Sequence, residues 1–282
     1  MCAVNAARLL AVGRFDLALG LYLPAAILYA ALIVYGCAVD DRPASASWQR
    51  LRLLYPFALM LLLYEATRVV VPALGQTLWD ARLAAADRWL LGGDLQLALD
   101  RRLGWIYAAP LAEVFSLAYL LLYCYLVIGV LRALRGPLHR HAAFSVGLWS
   151  AYAVGLLGYT LFPARGPYVA FAQLYLHPID GWLFTWLCGT LVAVGAPGYD
   201  VFPSLHVGVT AVLLGWDWRT SRRWFRAWAA PVAVLWVSTI YLRYHYVVDV
   251  LAGAALAAAC LALAFRALRS ERGRAAAYYK ET

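Results

Sequence analysis

Charge is what this chain has least of. Only 14% of its 282 residues are Asp, Glu, Lys or Arg, against about 25% in a soluble domain. Lysine is nearly absent: Lys280 stands alone, and arginine supplies the rest of the formal net charge of +9. Those arginines are spread along the chain, which excludes the basic stripe of a nucleic-acid-binding domain. Cysteine is sparse too. Cys2, Cys37, Cys124, Cys188 and Cys260 are odd in number, far apart and without a C-x-x-C pair. That excludes a disulfide scaffold, and the five read as small buried hydrophobes. There is no internal repeat, no low-complexity run and no polar linker. The chain reads as one unit, without the repeats expected of a small transporter. No cleavable signal peptide stands out, because the first apolar run is too long for one.

Apolar side chains are what the chain has in excess. They make up 65% of it, against about 45–50% in a soluble domain, and the mean hydropathy is +0.69. One soluble core cannot hide that much surface. A helix needs about 20 apolar residues to cross the hydrocarbon of a bilayer. The apolar runs at 17–39, 51–72, 109–131, 142–162, 204–216, 227–244 and 246–265 are candidates, the fifth being short. None alternates with period two, so helices rather than a barrel satisfy the backbone in lipid. The expected fold is an all-α polytopic transmembrane bundle of about six to seven spans.

Two stretches differ. Residues 80–105 mix apolar residues with Asp80, Asp87, Asp94 and Asp100, and read as an amphipathic segment at the interface. Residues 179–197 are apolar but broken by Gly181, Gly189, Gly195 and Pro197, so a re-entrant and a tilted helix both fit. The chain then divides into N-terminal membrane helices (1–79), the interfacial segment (80–105), a catalytic bundle (106–270) and a polar tail (271–282).

Short-loop arginines set orientation. Arg132, Arg135 and Arg140, then Arg219, Arg222, Arg223 and Arg226, then Arg266, Arg269, Arg272 and Arg274 alternate onto one face, expected to be cytoplasmic. Arg42, Arg50 and Arg52 join them. Loops 73–108 and 163–203 and the turn at His245 fall on the other face. The N-terminus, with Arg8 and Arg14, is placed there as well by this count.

Polar residues at membrane level are functional hypotheses by default, and three clusters share that second face. They are Phe162-Pro163-Ala164-Arg165-Gly166-Pro167, Phe202-Pro203-Ser204-Leu205-His206, and Arg243-Tyr244-His245-Tyr246-Val247-Val248-Asp249. His245 and Asp249 are four apart and share a helix face. A carboxylate there fixes the tautomer of the imidazole and leaves its other nitrogen free to attack. Taken alone, this is also how a histidine tethers two helices. Pro203 is expected in a first helical turn, whose free N–H groups, with the Ser204 hydroxyl, suit an anion. His206 beside that anion can protonate a leaving oxygen. An isolated P-S-L-H would be a helix cap and no more. Arg165 and Arg243 bring guanidinium forks suited to phosphate oxygens, with headgroup snorkelling as the plainer alternative.

Together these residues resemble the type 2 phosphatidic acid phosphatase (PAP2) superfamily, over about residues 80–266. F-P-S-L-H (202–206) is similar to its second motif, usually P-S-G-H. R-Y-H-Y-V-V-D-V-L-A-G (243–253) is similar to its third, and P-A-R-G-P (163–167) to the end of its first. Leu205, the H-Y-x-x-D form and, more weakly, Asp87 to Asp94 with Tyr119 and Tyr123 resemble the inositol phosphorylceramide synthase-like branch. The resemblance implies that His245 attacks phosphorus to form a phosphohistidine. Asp249 would orient it, and His206 would serve the leaving and entering oxygens. Arg165, Ser204 and Arg243 would hold the phosphoryl group, with no metal and no cofactor. Two superfamily residues are missing: Gly158 stands where a lysine is usual and Thr239 where an arginine is usual.

The expected partners are membrane lipids and a lipid phosphoester substrate, in the cell membrane, with the site on the extracytoplasmic face. The acceptor is water in a lipid phosphate or polyprenyl pyrophosphate phosphatase, and a lipid alcohol in a transferase. The alternatives are a small transporter and a zinc site built from His206, His245 and Asp249. Of the other polar residues, His139 and His141 are expected to be solvated, and His177 to sit in an irregular loop on the active face, with substrate contact as the minor alternative. Glu65 should pair with Arg68, and Glu113 should line the cavity.

Overall fold

A computed structural model describes residues 2–27, 30 and 55–281. The later part of the expected span 17–39, the start of 51–72, Cys37 and the loop arginines 42, 50 and 52 lie outside the described residues. The described residues are helical with no strand. We label the main helices α1 (Cys2–Ala11), α2 (Tyr55–Ala73), α3 (Asp80–Leu91), α4 (Leu95–Arg102), α5 (Leu111–Arg135), α6 (Leu138–Leu161), α7 (Leu183–Gly195), α8 (Leu205–Thr220), α9 (Arg222–Tyr241) and α10 (Val247–Glu281).

Local chemistry sets the ends. α5 carries Glu113 in its first turn and Arg132 and Arg135 in its last, matching the signs of the helix dipole. It stops at Gly136-Pro137, and α6 stops at Phe162-Pro163, because a residue before proline is pushed out of the helical region. α3 ends at Gly92, which is left-handed at φ 73°, the usual glycine stop. α5, α6 and α10 (as Val247–Ser270) are long and apolar enough to cross a bilayer. α8 has 16 residues, about 24 Å at 1.5 Å each, short for a span as its sequence suggests. α7, within the ambiguous 179–197 stretch, has 13 residues and lies along α5.

α5, α6, α8, α9 and α10 alternate in direction, joined by short turns except between α6 and α8, where the long segment that includes α7 returns to the same end. α10 packs on α6 and α8, α8 on α9 and α5, and α2 on α6. Leu148, Leu156, Val209, Leu213 and Leu235 are buried in the shared core. One end of the bundle gathers the C-termini of α6 and α9 and the N-termini of α8 and α10. Trp89, Trp105, Trp182 and Trp186 are exposed on the segments that cover this end, the usual place for a membrane-interface belt. The arginine-rich loops gather at the other end. Arg8 of α1 donates to the Thr160 carbonyl and to Gln76, so it belongs to the first end.

Candidate active site

His245 follows α9, and Asp249 lies in the first turn of α10. His245 Nδ1 is 3.3 Å from Asp249 Oδ2, which also accepts the Tyr246 N–H at 3.1 Å. Asp249 is wholly buried and His245 nearly so. The second cluster meets this pair from α8. The rings of His206 and His245 have centroids 5.8 Å apart, and His206 stacks on Tyr119 of α5 at 3.9 Å. His206 Nε2 is buried without a hydrogen-bond partner. A buried polar atom in that state calls for an explanation, and a substrate oxygen is a chemically apt one.

The backbone explains why the clusters meet. The Ser204 N–H donates to the Asp249 carbonyl at 3.1 Å, tying the start of α8 to the start of α10. Gly253 allows this approach, since a Cβ there would strike the Ser204 carbonyl. Pro203 stands one residue before the cap of α8 rather than in its first turn. The hydroxyl of Ser204 takes the cap by accepting from the Val207 N–H at 3.4 Å. Ser204 is therefore a buried cap here. Gly158 of α6 faces this turn, and a Cβ there would meet the Pro203 ring. That packing explains the glycine where a lysine is usual. Gly158→Lys forces the α6–α8 contact apart, and overpacking of that kind costs about 1–3 kcal/mol or more. The expected result is a lowered melting temperature in detergent with no gain in turnover.

Thr239, the second unusual position, contributes its backbone. Its carbonyl accepts the N–H groups of Tyr244 at 3.2 Å and His245 at 3.1 Å, so it fixes the turn that presents the imidazole.

The amphipathic segment does the remaining holding, through acidic residues that sequence reasoning left without a role. Asp80 accepts the N–H groups of Arg165 (3.0 Å) and Gly166 (2.9 Å) and the Tyr246 hydroxyl (2.8 Å). One carboxylate thus ties the first cluster to the third. Gly166 has φ 83° and sits against the Tyr244 carbonyl, a conformation and a spacing open to glycine alone. Asp87 accepts the Val247 and Val248 N–H groups at 2.8 and 2.7 Å, capping α10 from another helix. Gln96 donates to the carbonyls of Ile240 and His245. Asp80 and Asp87 are seven residues apart, two helical turns on one face, and that spacing was the available signal.

Arg165 is exposed and forms no ion pair among the described residues, so its guanidinium is open to an anion. Arg243, also expected to hold phosphate, has a different setting. It is buried, donates to Asp100 at 2.8 Å, and lies between the rings of Tyr107 and Tyr175 at 4.2 and 3.9 Å. Asp100 also accepts from Leu176 and His177 N–H at 2.7 and 3.1 Å. Burial alone would raise the Asp100 pKa. The two N–H groups, with Arg243 and His177, outweigh it and hold the carboxyl below its ordinary value.

Other expectations resolve from contacts. His177 lies 3.5 Å from Asp100, as part of this lock. His141 is buried in α6 rather than solvated. Glu113 caps α7 by accepting from Trp182, Phe184 and Thr185 N–H, rather than lining a cavity. Glu65 and Arg68 do pair, at 3.4 Å. Among the described residues no group of three His, Cys, Asp or Glu side chains is arranged to hold a metal. Asp200, also missed, accepts the Tyr64 hydroxyl at 2.6 Å and bridges to Ala164 beside Arg165. Burial pushes its carboxyl above the ordinary range, against the pull of Tyr64 and His245.

A bundle of apolar helices with paired imidazoles, a carboxylate behind one of them and an exposed arginine at the same end is an arrangement that suits a phosphatase-type enzyme of the membrane. The PAP2 superfamily model matches residues 81–263 of the 282, and the chain belongs to that superfamily. No curated protein and no solved structure matches it.

Proposed function

We propose that this protein is an integral-membrane lipid phosphotransferase or phosphatase working through a phosphohistidine. The observation that carries the reading is the pair of imidazoles at 5.8 Å, one backed by a buried carboxylate at 3.3 Å. Asp249 accepts the Nδ1 proton of His245, so the lone pair on Nε2 attacks phosphorus. The phosphorus–oxygen bond to the lipid alcohol breaks, and His206 delivers its proton to the departing oxygen. In the second half His206 takes a proton from the entering hydroxyl, which attacks phosphorus and releases His245. Arg165 neutralises charge on the equatorial oxygens. Ser204 shapes the turn that presents His206, and Arg243 positions the loop before His245.

Either water or a lipid alcohol serves as the entering group with these residues. We favour transfer of a phospho-headgroup to a lipid alcohol, on the form of the second and third motifs. The test is the purified protein with phosphorus-labelled phospholipids, with and without ceramide or diacylglycerol, followed by phosphorus NMR. An acid-labile, alkali-stable label on the protein is expected, with a new phospholipid formed only when the alcohol is added. Free phosphate or headgroup phosphate regardless of alcohol selects hydrolysis, and no labelled protein under rapid quench rejects the covalent step.

His206→Ala should lower turnover by about 10²–10⁴-fold, the range for a lost general acid. The deficit should shrink sharply for a substrate with a nitrophenolate leaving group, which needs no proton. An equal deficit for both leaving groups would remove His206 from that role.

A further inference from the structure

The end of the bundle away from the histidine pair holds a second polar cavity, of about 270 Å³. Its walls are the last turns of α5, the first turns of α6 and the last turns of α8, and they include Arg132, Arg140 and Asp217. Asp217 stands eleven residues beyond His206 on α8, about 16 Å along the axis, so the two sites are separate.

The chemistry of the wall is specific. Asp217 is 2% exposed. Its Oδ2 accepts from the Tyr125 hydroxyl at 3.0 Å and from Arg132 at 2.9 Å. Its Oδ1 is buried with no partner, and a carboxylate oxygen in that state lacks a donor. Arg132 is also held over the Trp224 ring at 4.3 Å, which fixes its guanidinium beside the cavity. Arg140 lines the same space, is exposed, and has no acidic partner among the described residues. Two arginines against one aspartate leave the cavity a net positive charge with one acceptor to spare. Such a wall suits an anion that carries its own hydrogen-bond donor, with forked N–H groups for the anion.

We propose that this cavity binds a phosphate ester bearing a hydroxyl or ammonium group, its phosphoryl oxygens between Arg132 and Arg140 and its donor on Asp217 Oδ1. A phospholipid headgroup and a soluble phosphorylated alcohol share that chemistry. The helix ends at this side of the bundle also carry Arg135, Arg219 and Arg222, and a cluster of arginines at a span end attracts anionic lipid.

The experiment is native mass spectrometry of the full chain released from detergent, with phosphatidylglycerol, phosphatidylcholine or glycerol 3-phosphate added separately. Two variants report on the cavity: Arg140→Gln removes the unpaired cation, and Ala133→Phe fills space without changing charge. Melting temperature establishes that each is folded. Phosphatidylglycerol should bind the wild type and bind both variants about tenfold more weakly, the loss expected for one charge-assisted contact. Phosphatidylcholine, which has the phosphate but no donor for Asp217, should bind the wild type more weakly than phosphatidylglycerol does. The same pattern with glycerol 3-phosphate, and not with the lipid, would assign the cavity to a soluble ester. Folded variants that bind both phosphates as the wild type does would overturn the proposal.

Discussion

His245→Ala should abolish turnover of every lipid phosphoester the wild type accepts, by at least about three orders of magnitude, as for lost nucleophiles elsewhere. The labelled protein intermediate should vanish with it. The substitution removes the imidazole whose ring lies 5.8 Å from that of His206 and whose Nδ1 is backed by a buried carboxylate. Folding should survive, because the backbone N–H of residue 245 keeps its bond to the Thr239 carbonyl and its own carbonyl keeps Gln96. A radiolabel quench beside a melting curve separates the two outcomes. A folded His245→Ala protein with wild-type turnover would remove the nucleophile and the covalent mechanism with it.

The largest stability effect should come from Asp100→Ala. Asp100 is wholly buried and is the acidic partner of buried Arg243. Deleting one member of such a pair leaves an uncompensated charge and costs about 3–5 kcal/mol. The N–H groups of Leu176 and His177 lose their acceptor as well. Melting in detergent should fall accordingly, and Arg243→Met added to Asp100→Ala should recover part of the loss by removing the stranded charge. Acid should act in the same direction. The folded pKa of Asp100 lies below its ordinary value. Its contribution is therefore complete above the unfolded carboxylate range, about 3.9, and is lost as pH falls through the lower folded value. Asp100→Asn should flatten that part of the acid melting profile. An unchanged profile would mean that the pair contributes nothing net.

The two effects are linked through the loop they share. Arg243 has φ 60°, a left-handed conformation unusual for a side-chain-bearing residue. Asp100, Tyr107 and Tyr175 hold it there. The Arg243 carbonyl accepts the Tyr168 N–H at 2.8 Å, close to Arg165. One ion pair thus braces the strained turn before His245 and the loop that carries Arg165.

The sequence by itself determined the lipid environment and the superfamily. Apolar runs with few charges imply helices in lipid, because no other open structure satisfies its backbone there. His245 and Asp249 four apart suggest a shared helix face, yet His245 stands in the turn before α10 and Asp249 in its first turn, so their contact depends on how that turn is held. His206 was legible because a proline–serine cap before a histidine is a local pattern. Tertiary structure decided which charges are free. Arg165 and Arg243 look alike in sequence, yet one is exposed and the other is neutralised by an aspartate 143 positions away. Asp80, Asp87 and Asp100 read as the polar face of an interfacial helix, yet each turns inward to satisfy backbone donors of distant loops. Periodicity reports which side of a helix is polar. It does not report whether that side meets water or the unpaired N–H groups of another segment, because that depends on contacts made across the fold.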